Sequence, residues 1–460
     1  MASDQINKTN GNESADTSII PKTLNGAPSK ESKQLLKFLI VSWESLIGDV
    51  TWRLKQEGCE VKFYSKDESD PDIYEGFFEK IPRWEDYKDW ADVIIFDDTG
   101  FGKAADALRR AGKFVVGGSE YTDKLEEDRE FGQEEMKRAG MVVLPHWDFS
   151  DFELAIQFIK DNPGRYVFKP SGTITSEQKG ILFIGQEDTG SDIIEVLEHN
   201  KKAWSRKIKK FQLQKYVQGV EIAVGAFFNG KDFIRPINVN FEHKKLFPGD
   251  IGPYTGEMGT LMFWSDSNKI FRATLEKLKP ALETCGYIGY IDINCIANNN
   301  GVYPLEVTAR FGYPTISIQL EGILNPTSEW LAKLAQSEEF ALRTRKGFQV
   351  GVVVAVPPFP YDDKRAFEVY KDSSIIFKKQ NNFEGIHLGD VKLIENDWKL
   401  AGESGYALVV TGSGTTVAEA RKMAYNRIDN ILLQNKFYRT DIGLRWNTDS
   451  DKLQSWGYLY

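Results

Sequence analysis

Short apolar runs alternate with helical patterns in the first part of the chain. Four runs of five or six residues are typical of buried strands, and helical patterns separate the first two and the last two. Strands that alternate with helices predict a parallel sheet with helices on both faces. We therefore predict a doubly wound N-terminal α/β domain over residues 35–122. The predicted strands are 37–42, 60–64, 93–98 and 113–117.

Ligands of such sheets bind outside the carboxyl ends of the strands. Here the first strand leads into Ser42, Trp43 and Glu44, and the third leads into residues 97–100. Polar residues at strand tips are also common in plain solvated loops. From this pattern alone, these residues could line a ligand site or belong to solvated loops.

After Gly118 the pattern changes to that of an α+β domain, predicted over residues 123–340. A charged helix is predicted from Asp123 to Ala139, and an Asn-Gly pair at Asn229 and Gly230 predicts a hairpin turn. The other predicted elements are a strand at 165–169, antiparallel strands within 211–240, a helix over 269–285, and strands at 290–296 and 302–307.

Residues 341–460 are predicted to form a smaller α+β domain. Strands at 350–356 and 406–410 precede a helix that begins near Thr415, where Thr416 and Glu419 have the spacing of a capping box. Apolar positions in this helix recur every three or four residues, which indicates one buried stripe. The stripe is Val417, Ala420, Ala424, Ile428 and Ile431.

Residues 1–34 have a different composition. They are rich in Ser, Asn, Thr, Lys and Asp, and they contain no aromatic residue. They also lack the apolar segment that a secretory signal needs. We predict a disordered tail here.

Composition excludes several functional classes. The chain has 460 residues, 41% of them hydrophobic, which is enough for about three packed domains. With 58 basic and 67 acidic residues the net charge is −9, which argues against broad capture of nucleic acid. No apolar run approaches the ~20 residues of a membrane helix, and the three cysteines lack CxxC spacing. We expect a cytoplasmic protein without membrane or nucleic-acid partners.

Two carboxylates lie on neighbouring predicted strands. Asp292 and Glu306 each stand between apolar residues, on strands that a short turn joins. Adjacent strands lie ~4.8 Å apart, so carboxylates on one face can share a divalent cation such as Mg²⁺. Arg310 follows four residues after Glu306. An ordinary salt bridge is the alternative for either acid.

Two loops have the composition of ligand-binding segments. Lys169 ends a strand and precedes small and hydroxylated residues over 170–180, which can wrap phosphates with backbone N–H groups, although the P-loop pattern is absent. Residues 249–259 contain four glycines. Structural loops without a ligand are the alternative for both segments.

Taken together, segments along the chain resemble a known family. Residues 286–314 are similar to the metal-binding hairpin of ATP-grasp ligases, and more narrowly to the glycinamide ribonucleotide synthetase family. Residues 252–259 are similar to that family's GPNTGGMG loop, and residues 416–421 and 437–443 match its C-terminal segments. The order is the same from about Lys37 to Trp446. The chain is therefore identified as a member of the ATP-grasp ligases, which implies a central ATP-grasp fold.

The resemblance also implies roles for individual residues. Lys169 and Arg310 would be catalytic, with Arg310 beside the reacting acyl phosphate. ATP would be bound by Lys124, Lys169, Gln214, Lys215, Tyr216, Val217 and Glu221. Mg²⁺, or Mn²⁺ in its place, would be bound by Glu306 with Asp292 and Thr308. Substrates would contact Asp250, Tyr254, Thr255, Gly256, Glu257, Met258 and Arg310.

The implied reaction is ATP-dependent amide formation between a small carboxylate and an amine, by a monomer or homodimer. The acceptor side departs from the family pattern. The family's GGREHA-like loop is Ser42-Trp43-Glu44 here, and its Gly-rich loop carries Tyr254 and Glu257 instead of Asn and Gly. These changes lead us to expect an acceptor other than phosphoribosylamine. The alternatives are glycinamide ribonucleotide synthetase itself and an inactive nucleotide-binding protein.

Overall fold

The computed structural model describes residues 35–171, 181–379 and 383–460. Residues 36–460 form one compact unit. The prediction of a disordered tail falls on residues 1–34, outside the described part. No helix in the described part is long and apolar enough to cross a membrane.

The N-terminal sheet is parallel, as the alternating pattern predicted. Its order is β2-β1-β3-β4, with β1 paired to both β2 and β3. The third strand ends at Phe96, so Asp97 and Asp98 follow its carboxyl end instead of extending it. The elements are β1 (Lys37–Ser42), α1 (Gly48–Gln56), β2 (Glu60–Ser65), β3 (Val93–Phe96), α2 (Gly102–Arg110) and β4 (Val115–Val116).

The charged segment after Gly118 forms two helices where one was predicted. These are α3 (Glu120–Glu127) and α4 (Arg129–Arg138). Asp128 has an extended backbone, and its carboxylate accepts a hydrogen bond from the Phe131 N–H at 3.1 Å, which caps α4. The capping aspartate therefore starts a new helix and places Arg129 in its first turn.

A second, smaller sheet has the order β5-β8-β6-β7. Two helices cover it, and Phe168, Phe211 and Trp204 stack in the core between them. The predicted strand at 165–169 is confirmed as β6. The elements are β5 (His146–Phe149), α5 (Phe152–Asp161), β6 (Tyr166–Ser171), β7 (Phe183–Ile184), α6 (Ser191–Trp204) and β8 (Lys210–Lys215).

The largest sheet has eight strands in the order β15-β14-β9-β10-β13-β16-β21-β18. The predicted Asn229–Gly230 turn joins β9 to β10, and Gly230 has a φ of +87° that glycine adopts without strain. The strands are β9 (Val220–Asn229), β10 (Ile237–Glu242), β13 (Gly259–Ser265), β14 (Ile288–Asn298), β15 (Gly301–Thr308), β16 (Phe348–Ala355), β18 (Ile386–Leu388) and β21 (Tyr406–Gly414).

This sheet differs from the sequence-based expectation in two ways. Strand β8, predicted to pair within 211–240, belongs to the smaller sheet, because the chain crosses between the sheets at residues 216–219. Strands from both sides of the predicted boundary at residue 340 share the large sheet, since β13 pairs with β16. The ATP-grasp and C-terminal regions are thus joined by main-chain hydrogen bonds.

The remaining elements lie around these sheets. The predicted helix over 269–285 is interrupted by a 3₁₀ turn at Leu275–Leu278, and Pro280 stands in the first turn of the helix that follows. The strands are β11 (Lys245–Phe247) paired with β12 (Ile251–Tyr254), and a sheet of β19 (Val391–Ile394), β20 (Asp397–Leu400), β17 (Ser374–Phe377) and β22 (Ile431–Leu432). The helices are α7 (Lys269–Ala273), α8 (Lys279–Cys285), α9 (Thr315–Gly322), α10 (Thr327–Ala335), α11 (Lys364–Phe367), α12 (Val417–Asp429) and α13 (Trp446–Ser455). A second 3₁₀ turn spans Trp84–Tyr87.

The predicted C-terminal helix is confirmed as α12. The Thr416 hydroxyl and the Glu419 carboxylate form the capping box, and Val417, Ala420, Ala424 and Ile428 are buried on this helix. Ile431, predicted to continue the stripe, lies beyond the end of the helix at Asp429 and is buried on strand β22 instead.

Side chains of the N-terminal region fasten it to the rest of the molecule. The Glu57 carboxylate, just after α1, accepts hydrogen bonds from the N–H groups of Thr327 and Ser328 at 2.7 and 2.8 Å. These groups begin α10, where unpaired N–H groups and the helix dipole favour an anion. Asp49 of α1 lies 2.7 Å from Nδ1 of His387 and accepts a bond from Ser317 at 3.2 Å.

We expect Glu57→Ala to lower the free energy of unfolding by about 1 kcal/mol, because it removes the cap of α10. Urea unfolding monitored by circular dichroism measures the change. Glu60→Ala, which removes an exposed acid on β2, is the control and should leave the midpoint unchanged. Equal midpoints for Glu57→Ala and the wild type would contradict the role of this cap.

Candidate active site

One face of the large sheet carries a grid of polar side chains. Directly paired residues of neighbouring strands point to the same side, and so do residues two apart on one strand. The register therefore places three rows on one face. The first row is Asn238, Gly225, Asp292 and Thr308, the second is Asn240, Ala223, Asn294 and Glu306, and the third contains Glu242 and Glu221.

The small residues in the grid make room for the large ones. A Cβ atom on Gly225 would lie 2.1 Å from the Tyr290 hydroxyl oxygen and 2.9 Å from Cβ of Asp292. The absence of a side chain on Gly225 thus allows Asp292 and Tyr290 to lie over β9. Asp292 is 3% exposed, and its Oδ1 has no hydrogen-bond partner among the described residues.

Lys244 lies among three carboxylates at the edge of this face. Its Nζ is 3.3 Å from Glu242 Oε2, 3.4 Å from Glu306 Oε1 and 3.9 Å from Glu221 Oε1. Burial disfavours the ammonium, but the three acids together raise the pKa of Lys244 well above its usual value. Lys244 is also the first cause that lowers the pKa of Glu306, to about 2.

Lys169 reaches the same region from the smaller sheet. It is 8% exposed, and its ammonium donates a hydrogen bond of 2.7 Å to Gln214 Oε1. Burial, followed by the positive charges of Arg129 and Lys244, lowers its pKa to about 8. The loop that follows Lys169 in the sequence lies outside the described residues.

Lys124, predicted to bind phosphate, makes different contacts. It is exposed on α3, and its ammonium lies 4.2 Å from the centre of the Phe131 ring. Arg129, one helix further, lies close enough to lower the pKa of both Lys169 and Glu306. Arg129 was not predicted as a site residue, because a single continuous helix was expected over this segment and the break at Asp128 places Arg129 in the first turn of α4.

The residues predicted to bind ATP at 214–217 lie where the chain passes from the smaller sheet to the large one. Gln214 and Lys215 end β8, and residues 216–219 lead to β9. The N–H groups of Lys215 and Tyr216 donate to the carbonyls of Pro145 and Arg165 at 2.8 and 3.0 Å. Tyr216 and Val217 are half-buried, and Glu221 follows on β9. These residues therefore form the connection between the two sheets next to Lys169, whose ammonium contacts Gln214.

Arg310 joins the large sheet to the N-terminal domain. Its Nε lies 3.0 Å from Asp98 Oδ1 and 3.1 Å from Glu126 Oε1. The second Glu126 oxygen accepts a hydrogen bond of 2.7 Å from the Ala309 N–H. The carboxyl end of β3 thus meets the residue predicted to lie beside the acyl phosphate.

The ends of β1 and β3 are tied together beside Arg310. Asp97 is buried and accepts hydrogen bonds from the Ser42 hydroxyl at 2.5 Å, the Trp43 N–H at 3.2 Å and the Tyr313 hydroxyl at 3.2 Å. Burial, followed by the neighbouring Asp98, raises the pKa of Asp97 to about 7. The strand tips named in the sequence analysis therefore border the site.

Glu44 adds negative charge at this edge. Loss of hydration, followed by the nearby Asp98 and Asp67, raises the pKa of its carboxyl group. Lys66 lies 3.3 Å from the centre of the Trp43 ring.

The Gly-rich segment forms the β11–β12 hairpin and the turn after it. Asp250 and Gly256 are exposed, Tyr254 and Thr255 are half-buried, and Glu257 is buried. Thr255 donates two hydrogen bonds to the Lys244 carbonyl, from its N–H at 2.8 Å and its hydroxyl at 2.9 Å. Met258 is fully buried against Leu246, so the structure does not place its side chain at a substrate site.

Arg439 anchors this hairpin from the C-terminal region. It is 1% exposed, and it donates to the Lys245 carbonyl at 2.9 Å, to Asp250 at 2.8 Å and to Asp441 at 2.7 Å. Asp441 in turn accepts a bond of 3.0 Å from the Gly249 N–H. The hairpin position therefore depends on a buried guanidinium from a distant part of the chain.

Two family models match the chain. The ATP-grasp (A) domain of phosphoribosylglycinamide synthetase matches residues 127–316, and the C domain of that protein matches residues 349–445. Together they cover more than half of the chain. The chain belongs to the ATP-grasp ligases. The enzyme class and the fold class that the sequence predicted are therefore confirmed.

Relatives carry related names. A phosphoribosylamine–glycine ligase of Streptococcus pneumoniae is 28% identical over 357 residues, 75% of this chain and 82% of the relative. A bifunctional purine biosynthetic protein of Pichia angusta is 26% identical over 353 residues, 74% of this chain and 43% of the relative.

Solved structures show the same fold. A phosphoribosylamine–glycine ligase from Thermotoga maritima has a TM-score of 0.67 at 22% identity, covering 89% of this chain and all of that one. A biotin carboxylase from Campylobacter jejuni has a TM-score of 0.60 at 13% identity, covering 92% and 97%. The comparisons favour the alternative of glycinamide ribonucleotide synthetase over the expected change of acceptor.

We expect the affinity of this ATP-grasp ligase for ATP to fall as the pH rises through about 8. Lys169 must carry its charge to hold phosphate, and its pKa of about 8 means that the charged form is present below this pH and lost above it. Isothermal titration between pH 6.5 and 9.5 measures the profile. Lys169→Met should bind ATP at least tenfold more weakly with a flat profile, and an unchanged inflection in this variant would contradict the assignment.

We expect Arg439→Met to raise the KM for the carboxylate and amine substrates about tenfold, because it removes the guanidinium that pairs with both Asp250 and Asp441 and loosens the hairpin. The KM for ATP should change less than twofold. Steady-state kinetics measures both, with Arg365→Met on the exposed face of α11 as the control. Equal increases in the three KM values would show that Arg439 has a general structural role instead.

Proposed function

We propose that this protein is a phosphoribosylamine–glycine ligase that uses ATP and Mg²⁺. The observation that carries the proposal is the match of both phosphoribosylglycinamide synthetase domains, in the same order along one chain. The curated relatives align over about three quarters of the chain and support the same assignment. The ATP-grasp site described above supplies the groups that the reaction requires.

The proposed reaction has two steps. A glycine carboxylate oxygen attacks the γ-phosphorus of ATP, the bond to the bridging oxygen breaks, and ADP leaves. The amine of phosphoribosylamine then attacks the acyl carbon, an amide bond forms, and inorganic phosphate leaves. The amine proton passes to the surroundings.

The described residues divide these tasks among them. Lys169 and Arg129 place positive charge where the phosphates would lie, and Arg310 would hold the acyl phosphate against the N-terminal domain. Positive groups fixed in place in this way stabilise charge that develops during transfer. Asp98 and Glu126 orient Arg310.

The carboxylate face fits a divalent cation. No three His, Cys, Asp or Glu side chains in residues 35–171, 181–379 and 383–460 are close enough to form a metal site by themselves. However, Glu306 already holds a cation, the Lys244 ammonium, and the buried Oδ1 of Asp292 has no partner in the same residues. Glu306, Thr308 and Asp292 would hold Mg²⁺ together with phosphate oxygens. When bound, Mg²⁺ offsets the charge of the transferred phosphoryl group.

The charges at the ends of β1 and β3 favour a second candidate function. Glu44, Asp67 and Asp98 lie close together where the acceptor would bind, and they disfavour a phosphorylated acceptor. A ligase for an amine without a phosphate group is therefore the alternative. The same ATP chemistry would serve both.

Phosphate release from Mg-ATP by the purified protein tests the proposal. We expect release only when glycine and freshly generated phosphoribosylamine are both present, and a fall of at least 100-fold in Glu306→Gln, because the metal-binding carboxylate is lost. Glu339→Gln, an exposed acid far along the chain, is the matched control and should keep the wild-type rate.

Other outcomes separate the alternatives. Binding of ATP without release on these substrates would reject phosphoribosylamine and favour the unphosphorylated amine, which a panel of amines then identifies. Release with an unphosphorylated amine that Glu44→Gln weakens would assign Glu44 to the acceptor. Normal turnover in Glu306→Gln would reject the assignment of the phosphoryl-transfer site.

A further inference from the structure

Lys244 lies in the candidate active site, but the proposed reaction gives it no role. It lies two residues after the end of β10, and its ammonium lies between carboxylates that come from three strands, Glu242 of β10, Glu221 of β9 and Glu306 of β15. Its backbone is held in place, because its carbonyl accepts both hydrogen bonds of Thr255. The strands and the Gly-rich turn together hold the backbone of Lys244 beside the three acids.

The contact uses the same carboxylate that a metal ion requires. Glu306 is the main residue predicted to bind Mg²⁺. Its Oε1 is 3.4 Å from the Lys244 ammonium. A carboxylate oxygen that is paired with an ammonium is a weaker ligand for Mg²⁺, since the cations repel each other at this distance. Lys244 and a divalent ion therefore compete for one group.

The phosphates of the nucleotide offer Lys244 another partner. Lys244 is near enough to Lys169 to lower the pKa of that phosphate-binding residue. Its side chain is 27% exposed, so the protein does not enclose it on every side. A triphosphate placed by Lys169 and Arg129 would bring several negative charges to this end of the cluster.

We propose that Lys244 is an internal counter-ion which occupies Glu306 in the nucleotide-free protein and transfers to the phosphates when ATP binds. The metal ion therefore binds weakly to the free protein and tightly to the nucleotide complex. Lys244 acts as a positioning residue that sets this order of binding. This order of binding rests on the ATP and Mg²⁺ site of the proposed function, and it is the same whichever amine the ligase uses.

Binding of Mn²⁺ to the full-length, nucleotide-free protein tests this order. The signal of free Mn²⁺ in electron paramagnetic resonance reports the binding directly, without turnover. We expect Lys244→Met to bind Mn²⁺ at least tenfold more tightly than the wild type, because the competing charge is gone. Lys244→Arg keeps the charge and should bind as weakly as the wild type.

A neighbouring lysine provides the matched control. Lys245 lies 3.6 Å from the centre of the Tyr254 ring and donates to the Gly252 carbonyl, so Lys245→Met removes a nearby charge without touching Glu306. This variant should bind Mn²⁺ like the wild type. Added ADP should tighten Mn²⁺ binding by the wild type much more than by Lys244→Met.

Two results would overturn the proposal. One is Lys244→Met binding Mn²⁺ no more tightly than the wild type, and the other is Lys244→Arg or Lys245→Met gaining as much affinity as Lys244→Met. Circular dichroism establishes that each variant is folded, and Lys244→Gln replaces Lys244→Met if that variant is not. Failure here would leave the phosphate-release assay unaffected, so the two proposals fail separately.

Discussion

The repulsion among acids that share one face of the large sheet is the constraint on which the site depends. Glu221, Glu242, Glu306 and Asp292 are brought together by strand register, which leaves the chain no freedom to separate them. Carboxylates at such spacing need nearby counter-charges or a proton, and burial followed by the charge of Glu242 raises the pKa of Asp292 well above its usual value. Those counter-charges come from outside these strands: Lys244 from a loop, Lys169 from the smaller sheet, Arg129 from a helix and Arg310 from the segment after β15. The active site is therefore where separate parts of the chain must meet.

The same requirement explains how the N-terminal domain is held. Arg310 follows β15 of the large sheet and pairs with Asp98 and Glu126, so it links the large sheet to the N-terminal region. Glu57 and Asp49 add contacts on the far side of that region. Buried or half-buried pairs of this kind specify geometry more than they add stability. Together they fix the ends of β1 and β3 against the phosphoryl-transfer site.

Much of the fold could be predicted from periodicity, because the longer strands of the sheets carry apolar signals of their own, whereas short and more polar strands such as β5 (His146–Phe149) and β20 (Asp397–Leu400) do not. The parallel N-terminal sheet, the Asn229–Gly230 hairpin and the capped C-terminal helix all have local causes in the sequence. The strand partners had no such signal, so the separation of β8 from β9 and the continuation of the large sheet into β16 were missed.

The site was predictable to a similar extent. Asp292 and Glu306 stood out because polar residues interrupt apolar strands, and Lys169 because it ends one. Arg129 and Lys244 stand in charged segments, where one more cation carries no signal by itself. Their positions follow from a helix break at Asp128 and from a carboxylate cluster, both of which exist only in three dimensions. Met258 shows the converse, since a Gly-rich loop in sequence also contains residues that turn into the core.

The continuous eight-stranded sheet has a consequence for how the protein can be divided. A cut near residue 340 would separate β13 from β16 and leave the N–H and C=O groups of β13 that point toward β16 without partners along an apolar edge. Open edges of this kind recruit strands from other molecules and promote aggregation. The catalytic part therefore cannot be isolated as a stable fragment by trimming the C-terminal region. In this architecture the C-terminal region covers the edge of β13, to which strands of other molecules could otherwise pair.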